Sequence, residues 1–554
     1  MAFLLAACAT LALPACSGGG GDGDSQPPPP PGGSTNLSGQ ITYDRVPFAV
    51  SGPGLDYAAT FAAPAREVDI ELLQANGAVL ATSRTDVDGR YEFSDAPAGT
   101  DVRLRVRART RSDPASTSGP SWDIQVLDNT QNNAQYVLQG EVFNTGAANG
   151  TPTRDLRAPS GWPDFGGTAY VGARSAGPFA LLDTLYSAVQ FVLEEGEPAL
   201  ELEPLDVFWS PDNRAADGDP TLGQIGTTSF VAAAGGNFER GIYVLGDDGN
   251  DTDEYDQHVL AHEFGHYLED TVSRSDSPGG PHGTGDRLDL RVAYSEGLSN
   301  AFSGMALGDP VYRDSFDLSQ SDDFGFDMEA NAQVNPGWFS EGSVQSIVWD
   351  LFDGAADGND VVEVGFGPIF DVMANEVRTG VPLTSLFPFV VALKQRSGVS
   401  AAAVDVLVAA QDIVAVGMNP FGSTETNDGG IDDALPIYTD IALNAGPVEL
   451  CGTPEAGSTN KLGNRRFLTF SVPSERLLSI QVANSSVVPA NPDPDLVLWK
   501  SGFFDVAESG DPDVEQYQQV VPAGDYVLEI YEFSHIDPNA SNPVRTCMTV
   551  TVNG

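Results

Sequence analysis

The chain has 554 residues, too many for one ordinary core, and its apolar content suits a packed globular protein of about two to four domains. Against 27 basic side chains stand 78 acidic ones, a formal net charge of −51, which repels nucleic acid and anionic lipid and removes both as direct partners. That acidity reads first as solubility in a salty or extracellular medium, with cation binding by some carboxylates as the sharper alternative, and the 60 glycines and 39 prolines favour turn-rich β domains over long helical bundles.

Residues 1–15, MAFLLAACATLALPA, form an apolar run too short to span a bilayer. The run resembles the hydrophobic part of a secretory signal. Its end, Leu13-Pro14-Ala15-Cys16, resembles a bacterial lipobox with Cys16 as the lipidated residue. Pro14 and the lack of a preceding Lys or Arg depart from that pattern; Leu5-Ala6-Ala7-Cys8 fits it better but leaves almost no signal ahead. After Cys16 comes SGGGGDGDSQPPPPPGGS, a Gly/Pro tether with no means of forming a core. The expectation for 1–36 is therefore a lipoprotein signal and tether. The protein would reach a membrane only through its lipid. It would be an outer-membrane lipoprotein, as Ser17 implies, or extracellular.

Residues 37–140 alternate apolar and polar positions, as half-buried strands do. Two turn pairs, Asn76-Gly77 and Asp88-Gly89, lie between such runs and predict hairpins, because both tolerate positive φ. The stretch Thr85-Asp86-Val87-Asp88-Gly89-Arg90-Tyr91-Glu92-Phe93 resembles transthyretin-like, carboxypeptidase-regulatory-type β sandwiches, which are usually accessory.

The stretch that carries chemistry is Tyr255–Asp270, YDQHVLAHEFGHYLED. Residues four apart share one face of a helix, so His262 and His266 present two imidazoles to one zinc ion. Glu263, between them in an HExxH pattern, is placed to act as general base on water. The chain has five histidines, and three fall at 258, 262 and 266, which argues against chance. The alternative is a pair of buried, hydrogen-bonded core histidines. Apolar Val259, Leu260, Phe264, Tyr267 and Leu268 predict a buried helix, with Asp256 as its N-cap.

Zinc needs a third protein ligand, and a second predicted helix runs through Arg291-Val292-Ala293-Tyr294-Ser295-Glu296-Gly297-Leu298-Ser299-Asn300. HExxH followed by a Glu on another helix resembles the gluzincins, the thermolysin- and fungalysin-like peptidases. The resemblance covers roughly residues 150–440 and is sharp at three short motifs. It implies a mixed α/β zincin-like catalytic domain with a mainly helical second lobe over 141–446. It also implies Glu296 as the third ligand and a peptidase acting on polypeptide. In that family an Asp four residues on accepts a hydrogen bond from the first histidine. Here the position is Asn300, whose oxygen can accept the bond without the charge. The connection between the motifs is longer than in thermolysin, and the family's later oxyanion histidine and tyrosine have no clear counterpart. His282 is taken as the catalytic substitute, with Tyr294 as a weaker one.

Asp247-Asp248-Gly249-Asn250-Asp251-Thr252-Asp253-Glu254 is a dense carboxylate cluster that departs from the EF-hand loop. It reads first as a solvated acidic loop and second as a Ca2+ site. Residues 176–197 have helical spacing, and 226–246 read as one or two strands of the kind gluzincins use to pair with substrate backbone. Gly337–Leu351 resembles the helix that follows the zinc motifs in fungalysin-like enzymes; it reads as packing, with Glu341 as a candidate substrate contact.

From 447 to 554 alternating strands return, resembling the pre-peptidase-type β sandwich of secreted bacterial peptidases. Cys451 and Cys547 lie near its ends. They are expected to pair in an oxidising compartment, with two buried free thiols as the alternative. The expectation is thus a zinc-dependent endopeptidase flanked by two β sandwiches. The rival is a non-catalytic surface lipoprotein with adhesion-type sandwiches and a structural metal site.

Overall fold

Alternation in the N-terminal region becomes strands whose apolar side is sealed. In Asp101–Arg111, Val102, Leu104, Val106 and Ala108 are buried. The arginines between them face out and pair with acids on neighbouring strands: Arg105 and Arg107 with Glu71, Arg111 with Asp69, and Arg109 with Asp123. The computed structural model describes residues 32–112, 119–163, 167–330, 332–354, 362–455, 459–487, 489, 492–540 and 542–554. The expected lipidation site Cys16 and most of the tether lie outside them.

Asn76-Gly77 joins the antiparallel strands Val68–Gln74 and Val79–Arg84, a hairpin as expected. Asp88-Gly89 does not. The strand after it, Arg90–Pro97, pairs with Ser34–Arg45 in another sheet (Leu37 opposite Phe93). Asp86 caps the turn by accepting from the Asp88 and Arg90 amides at 2.9 and 2.8 Å. Gly89 has φ +75°, and a methyl group there would lie 2.5 Å from the Ile41 carbonyl oxygen. The same Asp-Gly chemistry therefore makes an arch between sheets, because a third strand takes the partner's place.

The larger, ten-stranded sheet does not stop at residue 140. Asp123–Asp128 runs parallel to Leu205–Trp209, which runs parallel to Gly241–Val244; Ser229–Val231 lies antiparallel at the edge. Parallel neighbours need a crossover, and helix α1 (Gly177–Phe191) provides it. The boundary expected between 140 and 141 thus falls inside a continuous sheet and one shared apolar core.

Three further helices form the smaller helical portion: α2 (Gln257–Val272), α3 (Leu290–Leu307) and α4 (Glu341–Phe352). Shorter ones follow at Phe366–Val372, Leu386–Leu393 and Ala401–Ala409. Helix α3 is central, with α2 on one side and α4 on the other. Two glycines set these approaches. At Gly265 of α2 a methyl group would lie 3.0 Å from the Ser299 Cα; at Gly297 of α3 it would lie 2.6 Å from the Glu341 carbonyl oxygen.

The C-terminal region is a sandwich of a five-stranded and a four-stranded sheet around Leu468, Leu478, Ile480, Leu496, Leu528 and Val550. Its first strand, Tyr438–Asp440, lies ahead of residue 447 and pairs with Arg465–Val472. Cys451 and Cys547 sit opposite each other on antiparallel strands and form a disulfide. No helix among the described residues is long and apolar enough to cross a membrane.

Candidate metal centre

Helix α2 forms because its apolar residues recur at helical spacing, and Val259, Leu260, Phe264, Tyr267 and Leu268 are all buried. Asp256 stands at the N-cap position but its carboxylate does not cap α2. It accepts instead from the Ser315 amide at 2.7 Å and from the Ser315 hydroxyl, tying the helix start to the strand Val311–Phe316. Helix α3 starts at Asp289, which accepts from the Arg291 amide at 3.0 Å, and α4 starts at Ser340, which accepts from the Ser343 amide at 3.3 Å.

On the facing sides of α2 and α3 three donor atoms converge. His262 Nε2 and His266 Nε2 are 3.0 Å apart, and each lies 3.2 Å from Glu296 Oε2. Tetrahedral donors about 2.0–2.1 Å from a zinc ion would be separated by about 3.3 Å, so the spacing and the His2Glu chemistry fit that metal.

Proton bookkeeping agrees for His266. Its Nδ1 lies 3.1 Å from the hydroxyls of both Ser295 and Ser299. The single hydroxyl hydrogen of Ser295 goes to Glu269 Oε2 at 2.6 Å, so Ser295 accepts from Nδ1–H. In the neutral ring this leaves the Nε2 lone pair pointing at the centre. Without a cation a proton takes its place. Burial lowers the His266 pKa, but Glu296 outweighs it and pushes the ring up to about 9. Burial works against the charged Glu296 carboxylate too, but the surrounding histidines hold it well below the usual range.

Glu263 is buried, and one of its oxygens accepts from the Phe230 amide at 2.6 Å. Burial raises its pKa, as does the neighbouring Glu296, while the two histidines pull the other way. Phe230 is the middle residue of the edge strand Ser229–Val231, whose outer side therefore faces the centre.

His282 reaches the same place from the loop between α2 and α3. Its Nε2 lies 3.3 Å from Glu296 Oε2 and its Nδ1 2.7 Å from Glu341 Oε2. Both nitrogens face carboxylates, so both carry hydrogens and the ring is cationic. Burial opposes this, yet the two carboxylates raise its pKa to about 10.

Other sequence candidates fall elsewhere. Asn300 donates to Gln345 Oε1 at 3.0 Å, and no hydrogen bond joins it to His262, whose Nδ1 is buried without a partner. The bond expected between them is absent; the Asn300 amide is instead oriented with its Nδ2 toward Gln345 on α4. Tyr294 packs on Phe389, away from the ligand face. His258 bonds the Asp309 carbonyl at 3.1 Å, and His535 lies in the C-terminal sandwich against the Val544 carbonyl. Ser295, Ser299 and Glu269 were not foreseen. Their signal was spacing alone: the two serines are four apart on α3, and Glu269 is three after His266 on α2.

No protein-family model matches the chain, and no curated protein matches it. Among solved structures, the pre-peptidase C-terminal domain of collagenase from Bacillus anthracis is 15% identical with a TM-score of 0.15, over 21% of this chain and 94% of that one. The surface-associated copper-binding protein CorA of Methylomicrobium album BG8 is 9% identical with a TM-score of 0.17, over 21% and 96%. The periplasmic lysozyme inhibitor PliG of Aeromonas hydrophila is 12% identical with a TM-score of 0.14, over 21% and 97%. Likenesses this partial assign no activity.

Proposed function

We propose that the chain is a zinc-dependent endopeptidase of zincin-like α/β build, with His262, His266 and Glu296 as metal ligands. The observation that carries this reading is the convergence of those three donors, 3.0–3.2 Å apart, beside a buried glutamate. A bound zinc ion supplies Lewis acidity toward a substrate carbonyl and acidifies water. The remaining work falls to side chains and backbone. The outer edge of Ser229–Val231 offers an extended polypeptide a strand to lie beside. Glu263, raised by burial and aimed by the Phe230 amide, takes a proton from the attacking water and later passes it to the leaving amine. Once Glu296 Oε2 serves as a metal ligand, the His282 Nε2–H that faces that oxygen is freed and becomes the donor for the oxyanion that develops on the carbonyl, while Glu341 keeps Nδ1–H. Lipidation at Cys16 would hold this enzyme at the bacterial outer membrane, with the lipid as its only membrane contact.

One observation favours a second reading, a surface lipoprotein with a structural metal. His262 Nδ1 has no hydrogen-bond partner, so nothing orients that ring as Ser295 orients His266. Zinc content and casein cleavage of the wild type and of Glu263→Gln separate the two. About one zinc per chain in both proteins, with cleavage lost only in the variant, establishes the peptidase. Zinc in both without cleavage by either favours the structural site, and no zinc in either removes the ligand set.

A further inference from the structure

The acidic stretch before α2 divides in two. Asp247 and Asp248 are half-buried and outside the cluster, whereas Asp251 and the fully buried Asp253 meet Asp314 from the strand Val311–Phe316. One oxygen from each of the three lies within 4.8 Å of the other two. Asp253 is 3% exposed; its Oδ2 accepts from the Thr228 hydroxyl, while its Oδ1 is buried without a hydrogen-bond partner. Asp251 Oδ1 and Asp314 Oδ1 are buried and unpartnered as well. Among the described residues no lysine, arginine or histidine is ion-paired to any of the three. The nearby Arg174 is committed to Glu254.

Three carboxylates that each hold a buried, unpartnered oxygen and share no counter-charge have two physical solutions: they bind protons, or they bind a cation. Burial raises Asp251 to about 6 and Asp314 to about 7, so the metal-free cluster holds protons that a cation would displace. The donor set is all oxygen and anionic, with no nitrogen or sulfur, which selects a hard ion over zinc. Calcium accepts such carboxylate oxygens in a flexible coordination shell, whereas magnesium demands a near-ideal octahedron and keeps most of its waters.

We propose that Asp251, Asp253 and Asp314 form a calcium site that fastens the turn entering α2 to the strand leaving α3. The ligands come from the strand Asp251–Thr252, the turn Asp253–Tyr255 and the strand Val311–Phe316. Calcium there staples together the entry of the helix that carries His262 and the exit of the helix that carries Glu296. The site stands on its own residues and does not depend on the peptidase reading.

The test uses the full chain, freed of divalent ions and restored with one equivalent of zinc. Millimolar CaCl2 should raise its thermal midpoint by several degrees at neutral pH, and millimolar MgCl2 should not. Calcium titration by calorimetry should show affinity weakened at least about tenfold in Asp253→Asn and in Asp314→Asn, with zinc content unchanged. If Asp253→Asn does not fold, Asp314→Asn, on the more exposed hairpin strand, decides. No calcium-dependent shift in the wild type, an equal shift from magnesium, or undiminished calcium affinity in the variants overturns the site.

Discussion

Lys461, in the turn that opens a strand of the C-terminal sandwich, donates to the carbonyl of Pro281, the residue immediately before His282, at 3.0 Å. Its ammonium also meets Asp286 Oδ2 at 3.0 Å, while Asn460 donates to the Gly279 carbonyl at 2.9 Å. Backbone bonds from Leu462 to Arg287 and from Asp289 to Asn460 continue the lacing. The C-terminal sandwich therefore holds the loop that delivers His282 to Glu296.

In the proposed peptidase, kinetics should show that dependence. His282→Ala removes the proposed oxyanion donor and should lower kcat by about a hundredfold or more. Lys461→Met leaves the donor in place but loosens its loop, and should lower kcat by roughly tenfold. In both, KM for a peptide substrate and zinc content should stay near wild type. A Lys461→Met enzyme with unchanged kcat would show that the loop holds its place without the C-terminal sandwich.

The same two regions share a buried ion cluster. Arg291, 1% exposed, pairs with Asp289 at 2.9 Å and with Glu529 at 2.8 Å; Glu529 also takes Arg465 at 2.8 Å and the Trp499 indole at 2.9 Å. Removing one member strands a buried charge, so Glu529→Ala should cost about 3–5 kcal/mol. Replacing Glu529 together with the arginine it would strand, Arg465→Met with Glu529→Leu, leaves Arg291 paired with Asp289 and should recover much of that loss. Urea unfolding of the two proteins measures the difference, and equal midpoints would refute the stranded-charge account.

Features that depend on neighbours in sequence were legible in the chain. The α2 stripe, the His262–His266 spacing and the Asn76-Gly77 hairpin each follow from local geometry. The Cys451–Cys547 pair, 96 residues apart, followed instead from the position of both cysteines near the ends of one β domain and from an oxidising compartment. What failed depends on partners distant in sequence. Asp88-Gly89 is the right turn in an arch, because Ser34–Arg45 occupies the place beside Arg90–Pro97. Asp256 has N-cap chemistry, but Ser315 claims its carboxylate, and Asn300 is claimed by Gln345. The sheet that crosses residue 140 was hidden because parallel pairing joins strands far apart in the chain.

Protonation of His282 gives the metal-free protein a pH signature. The folded value is raised from 6.5 to about 10, with burial opposing and Glu296 and Glu341 prevailing. A raised pKa means that the folded state holds its proton more tightly than the unfolded chain. The resulting stabilisation is complete below about pH 6.5 and is lost as pH rises through about 10. Thermal midpoints of the metal-free wild type should therefore fall across that window more steeply than those of His282→Gln. Parallel curves would mean that the ring is not held by the two carboxylates.

Gly297 follows Glu296 on α3 and faces α4. A methyl group there would lie 2.5 Å from the Val344 Cβ and 2.6 Å from the Glu341 carbonyl oxygen, and neither atom belongs to a flexible side-chain end. Intrinsic helix propensity favours alanine by about 1 kcal/mol, so in an isolated helix Gly297→Ala would stabilise. Here α4 would have to withdraw, and overpacking of this kind costs about 1–3 kcal/mol. Glu341 would withdraw with it and slacken its hold on His282 Nδ1, now at 2.7 Å. Gly297→Ala should thus lower both the unfolding midpoint and kcat while zinc content, set by α2 and α3, stays near wild type. A more stable Gly297→Ala protein with full activity would show that α3 and α4 are not in the close contact described.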